Sequence, residues 1–104
     1  MNKRHCYIPN EKIELYLLNP EKKHFFEFYS VGYTAHSCEI LKRDLEKQFS
    51  MEYSCDYRES YDGSISFSIF MMLGITMKKR FRTVWQIDYT DAAPRFITAY
   101  REDE

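Results

Sequence analysis

The sequence is poor in the residues that mark several common functional classes. Its three cysteines, Cys6, Cys38 and Cys55, are far apart and odd in number, with no C-x-x-C pair. That pattern argues against a disulfide framework and against a zinc site, so no metal is expected and a reducing cytoplasm is the expected location. The three glycines, Gly32, Gly63 and Gly74, are scattered, so no Gly-rich phosphate loop or cofactor motif supports a small-ligand reading. The longest apolar run, "IFMMLGI", is far below the ~20 residues a membrane helix needs, and "MNKRHCYIPNEK" lacks the apolar core of a signal peptide. Neither charge sign is in real excess: fifteen basic against sixteen acidic residues leave a formal charge of -1. A near-neutral chain has no global pull toward DNA, RNA or an anionic membrane, so any such contact must be local.

What is present is a folded domain. The 104 residues suit one domain, 1–104, with a modest core, and a content of 44% hydrophobic and 17% aromatic residues argues against disorder.

The first half carries helical spacing. In "IPNEKIELYLLNPEK" Ile13 and Leu17 stand four apart, Asn10 is placed to cap, and Asn19-Pro20 supplies a stop. "HFFEFYSVGYT" reads as helix up to a break at Gly32. "TAHSCEILKRDLEKQFS" sets Leu41, Leu45 and Phe49 on one stripe, with Thr34 or Ser37 as cap, and predicts an amphipathic helix.

After Ser50 the period becomes two. Asp62-Gly63 predicts a hairpin between "MEYSCDYRESY" and "SISFSIFMML", where Ile65, Phe67 and Ile69 alternate with serines and Met71-Met72 is expected to fill core. Gly74 marks a bulge or bend. "KKRFRTVWQIDYT" alternates Phe81, Thr83, Trp85, Ile87 and Tyr89 against polar residues, and "DAAP" turns into a last edge strand, "RFITAY". The expected fold class is α+β, with two or three N-terminal helices packed on a four-stranded antiparallel sheet. Strict alternation would put Arg95, Ile97 and Ala99 on one face of the last strand and Phe96, Thr98 and Tyr100 on the other.

Candidate chemistry is sparse. Lys78, Lys79, Arg80 and Arg82 form a dense basic cluster that, with Arg95 and Arg101, offers a phosphate-binding strip. The plainer reading is a solvated strand edge protected by lysines. His24, among lysines and phenylalanines, has side-chain chemistry suited to proton transfer, whereas His5 and His36 lack ligand-spaced partners. Thr98 and Tyr100 are good strand formers and need no site to explain them.

Four stretches carry a resemblance: "YIPNEKIELYLLNP", "FYSVGY", "RTVWQID" and "PRFITAY". Together and in this order they resemble a family of small, formally uncharacterised bacterial domains. Its members carry I-P-N-x-x-K, Y-L-L-N-P, a Lys-containing segment ahead of a Gly-aromatic pair, R-T-V-W, and a closing P-R-L-V-T-A-Y-P. Such domains stand beside antitoxins or end larger toxins, and their layout is similar to that of barnase/RelE-like ribonuclease toxins. The resemblance implies a metal-independent ribonuclease toxin of a toxin–antitoxin or toxin–immunity system. Its implied partners are RNA and a cognate antitoxin or immunity protein. It implies His24 or Lys23 as base or acid, Arg95 and Arg82 as a phosphate clamp with Arg80 and Lys79 beside them, and Thr98 and Tyr100 as hydrogen-bonding or proton-relaying groups. Phe96 and Tyr29 would stack on bases. Two departures stand out: the family lysine falls near Lys23 or His24, and the closing proline is Arg101. The alternative, from another class, is a non-catalytic binding module, an immunity or antitoxin-like partner that docks through aromatic surface.

Overall fold

The computed structural model describes residues 5–88 and 93–102. Helical segments come first and a four-stranded sheet follows, an α+β architecture as expected.

The first helical segment, Lys12–Leu17, is wound as a π-helix, with Leu18 N–H donating to Ile13 C=O at 2.9 Å. The wider turn still carries Ile13 and Leu17 into the core, both buried. Asn10 does not cap it; its side-chain oxygen accepts from Lys42 Nζ at 3.0 Å. Helix α1, Phe25–Tyr29, buries Phe25 and Phe28, and Gly32 breaks the chain after it with φ 106°. A Cβ at Gly32 would stand 2.9 Å from Thr76 N, so glycine supplies both the backbone region and the space. Helix α2, Cys38–Gln48, follows the expected stripe: Leu41 and Leu45 are fully buried, and so is Phe49 at its C-cap.

A short 3₁₀ turn, Met51–Tyr53, leads into strands β1 (Cys55–Glu59), β2 (Ile65–Leu73), β3 (Lys79–Ile87) and β4 (Arg95–Arg101). They pair antiparallel in the order β1-β2-β3-β4. The Asp62-Gly63 hairpin forms as expected, with Gly63 at φ 90° and Asp62 Oδ1 accepting from Ser64 N at 3.0 Å. Gly74 ends β2 rather than interrupting it. Tyr89 and the first two residues of the "DAAP" turn lie outside the described residues.

One sheet face carries Phe67, Ile69, Met71, Leu73, Phe81, Thr83, Trp85, Phe96 and Ala99, all buried beneath the helical layer. Phe28 stacks on Phe81 at 4.7 Å between centroids, and Trp85 sits edge-on between Phe49 (4.6 Å) and Phe96 (5.2 Å). Of the methionine pair only Met71 fills core, because strand alternation turns Met72 outward, where it is half exposed. The edges are covered locally. Beyond the end of β1, Gln48 of α2 bonds both the N–H and the C=O of Met72. Along β4, Tyr7 pairs with Pro94 and Phe96 at one end and Glu27 accepts from Arg101 N at the other.

The pairing of β3 with β4 is irregular. Val84 faces Thr98 and Trp85 faces Phe96, leaving Ile97 as an extra residue in β4. That bulge resets the alternation, so the expected division of "RFITAY" is corrected: Phe96 and Ala99 face the core, and Arg95, Thr98 and Tyr100 share the outer face with Arg82, Val84 and Gln86.

Candidate functional site

The outer sheet face, away from the helices, holds an open cleft of about 730 Å³ lined by residues of all four strands and by Glu102. Its β1 wall is Asp56, Tyr57 and Arg58; β2 contributes Ser66 and Ser68, β3 Arg82, and β4 Tyr100. These polar residues converge because β2 and β3 place every second residue outward, and at the cleft the outward residues of β2 are Ser66 and Ser68, small enough to leave room.

Arg82 organises the cleft floor. Its Nε and Nη2 hold Glu102 in a two-pronged contact at 2.7–3.0 Å, and its Nη1 donates to Asp56 Oδ2 at 2.6 Å and to Ser68 Oγ at 2.9 Å. Phe70 lies under the guanidinium, with Cζ 4.5 Å from the ring centroid, and Arg80 stacks on the same ring at 3.9 Å. Hydrogen bonds from Arg82 hold the Glu102 carboxyl below the ordinary glutamate range. In return, Glu102 first and Asp56 second make the guanidinium still harder to deprotonate.

Beside this cleft stands a second group. His24 Nδ1 lies 2.9 Å from Glu27 Oε1, one helical turn apart, and the imidazole stacks on Tyr100 with centroids 5.7 Å apart and planes inclined 23°. Tyr16 meets the same ring edge-on at 6.3 Å. An ionised Glu27 can only accept, so neutral His24 donates from Nδ1 and keeps its lone pair on Nε2, the form a general base requires. Tyr100 belongs to both groups: it pairs with Arg82 across β3 and β4 and carries the His24 stack. The Thr98 hydroxyl is buried, with no hydrogen-bond partner among the described residues.

The structure therefore brings His24, Tyr100 and Arg82 together and puts Thr98 on the same face. Lys23 is exposed on the turn before α1. Arg95 shares the face of Thr98 but sits at the opposite end of β4 from Tyr100, roughly 15 Å away at the usual rise per strand residue, and its Nη1 lies 3.7 Å from Asp88. Arg80 faces outward and Lys79 does not, which divides the basic cluster between two faces. Because β3 is an interior strand, that cluster does not protect a sheet edge either. Phe96 is fully buried against Trp85, so its ring has no surface to offer a base; Tyr29 remains exposed. The R-T-V-W stretch is chiefly architectural. Thr83 Oγ1 donates to Ile69 C=O at 2.6 Å and accepts from Trp85 Nε1 at 2.8 Å, and of the four only Arg82 and Val84 line the cleft.

Glu27, Asp56 and Glu102 were not legible as site residues. Glu27 carried a signal, the i, i+3 spacing of "HFFE" on a helix. Asp56 and Glu102 carried none, since they stand 26 and 20 positions from Arg82 in the chain. All three cysteines are outside the site and their thiols are held in the neutral form: burial, then Glu46, pushes Cys6 up to about 11, and burial also raises Cys38 and Cys55. Among the described residues no helix is long and apolar enough to cross a membrane.

The sequence model of a family described as "Domain of unknown function (DUF6883)" matches residues 1–103. No curated protein and no solved structure matches the chain.

Proposed function

The chain belongs to the DUF6883 family of domains of unknown function, and on that premise we propose, from its own side chains, that it is a metal-independent ribonuclease of toxin type. The observation that carries the reading is the His24 imidazole, tied through Nδ1 to Glu27 and stacked on Tyr100, which itself lines the cleft that holds Arg82.

Cleavage of RNA without a metal needs three things: a base for the ribose 2'-hydroxyl, positive charge for the phosphorane, and an acid for the leaving 5'-oxygen. His24 Nε2 takes the 2'-hydroxyl proton, Glu27 holds the ring and stabilises the imidazolium, and the 2'-oxygen attacks phosphorus as the P–O5' bond breaks. The products are a 2',3'-cyclic phosphate and a 5'-hydroxyl. Tyr100 protonates the leaving 5'-oxygen, and Arg82 supplies charge for the phosphorane. Arg95, at the far end of β4, serves the neighbouring phosphate rather than the reacting one. A cognate antitoxin or immunity protein is the partner this reading requires.

The test is incubation of the purified protein with total bacterial RNA in excess chelator, beside His24→Ala and Tyr100→Phe. Cleavage leaving cyclic phosphate ends, lost in both variants, supports the assignment. If wild-type protein leaves RNA intact and cells tolerate its high expression, the activity is refuted in favour of a non-catalytic binding module docking through exposed Phe26 and Tyr29.

A further inference from the structure

We propose that Arg82 is a phosphate-recognition site held shut by carboxylates of the same chain, with Glu102 and Asp56 standing where the oxygens of an RNA phosphodiester would bind. The identity of the ligand rests on the ribonuclease reading above; the latch itself does not.

The contact has the shape of the ligand it would admit. A guanidinium presents a planar fork to carboxylate and phosphate alike, and here both prongs facing Glu102 are filled, as is the side facing Asp56. An ion pair whose task is structural is normally closed off, yet this one forms the floor of an open cleft of about 730 Å³. The arginine side chain is only 19% exposed, while Asp56 and Glu102 are 56% and 37% exposed. The cation is thus fixed in the protein and its anions are on the solvent side, so they can leave without the fold opening. Exposed ion pairs contribute little to stability, which makes the exchange for another anion cheap.

Two features point to placement rather than accident. Asp56 adopts φ 55°, a left-handed conformation uncommon for a non-glycine residue, within the irregular pairing between Cys55 and Arg58. That distortion turns its carboxylate toward Arg82. Phe70 beneath the guanidinium, and Ser68 on Nη1, keep the fork in plane when a carboxylate departs. Around the latch, Arg58 and Tyr57 on the β1 wall and Tyr100 opposite offer a second cation and two rings, the pairing of charge and stacking that single-stranded RNA uses. With both carboxylates in place the guanidinium is more than neutralised, so the wild-type protein should bind polyanions more weakly than a variant with one carboxylate removed.

The experiment measures binding of a 2'-O-methyl oligouridylate, which cannot be cleaved, and of inorganic phosphate, by titration calorimetry. Glu102→Gln should bind the oligonucleotide about tenfold or more tightly than wild type, the scale of one charge-assisted contact. Adding Arg82→Gln should remove the gain, and Glu59→Gln, the same charge change at the far end of β1, should give none. Should Glu102→Gln disturb the fold, seen as loss of the buried Trp85 emission, Asp56→Asn on the exposed bulge carries the same expectation. The latch is overturned if neither variant binds more tightly, or if the gain survives Arg82→Gln. A gain for inorganic phosphate without one for the oligonucleotide would overturn the RNA assignment. Because the probe is uncleavable, absence of ribonuclease activity leaves these outcomes readable.

Discussion

Arg95 and Thr98 project from the same face of β4 although three positions separate them, because Ile97 is an extra residue opposite the Val84–Trp85 step. Without the bulge the two side chains would oppose each other across the sheet, and either Phe96 would leave the core or Thr98 and Tyr100 would leave the cleft face.

Deleting Ile97 should therefore leave the faces of β4 as they are, because removing the extra residue leaves Thr98 opposite Val84 and Phe96 opposite Trp85 in a regular ladder. The expected cost is about 2 kcal/mol or less, that of one half-buried side chain. Phe96→Ala, which empties the core position itself, should cost about 3–5 kcal/mol. Urea unfolding followed by Trp85 fluorescence separates the two, and a deletion as damaging as Phe96→Ala would overturn the bulge account.

Thr83→Val should destabilise more than its similar volume suggests. Thr83 is fully buried and links Trp85 Nε1 to Ile69 C=O. Valine leaves the indole N–H buried and unpaired, at a cost of about 1–3 kcal/mol, while Thr83→Ser keeps the bond and loses a methyl. A serine variant less stable than the valine variant would refute the hydrogen-bond account.

Glu27→Gln should lower kcat for RNA cleavage roughly tenfold or more with KM little changed. Glu27 is a positioning residue, acting through the His24 ring, and an amide can present its N–H to Nδ1 and so select the wrong tautomer. Equal losses in KM and kcat/KM with kcat intact would instead place Glu27 in substrate binding.

The Arg82–Glu102 contact should contribute stability at neutral pH and lose it in acid. The Glu102 carboxyl is held below its ordinary value in the folded state by its bonds to Arg82. A depressed carboxyl stabilises the fold fully above its unfolded pKa and progressively less as pH falls through the folded one. The difference in urea midpoint between wild type and Glu102→Gln should shrink from about pH 7 to about pH 3. A difference that does not change with pH would mean that the glutamate acts by packing rather than by charge.

Much of the fold was legible along the chain. The i, i+4 stripe of Leu41 and Leu45, the Asp62-Gly63 turn and the alternation of Phe67 with Ile69 and of Phe81 with Trp85 are local patterns, and each formed where its spacing placed it. The site was legible only in part. His24, Tyr100 and Arg82 were singled out and do stand together, while Phe96 turned out to be core and Arg95 distant from the His24–Tyr100 contact.

The division follows from the range of the forces involved. Helical and strand periodicity, turn chemistry and the neutral charge balance depend on residues a few positions apart, so the sequence by itself determined the α+β class, the outward serines of β2 and the inward aromatics of β3. The phase of β4 and the partners of Arg82 depend on residues far apart in the chain. Ile97 is a bulge only because β3 pairs as it does, and Asp56, Arg82 and Glu102 meet only once β1 and the end of β4 lie on opposite sides of the same two central strands. Packing the Phe96 ring against Trp85 set that register, and the cleft took its charges from it.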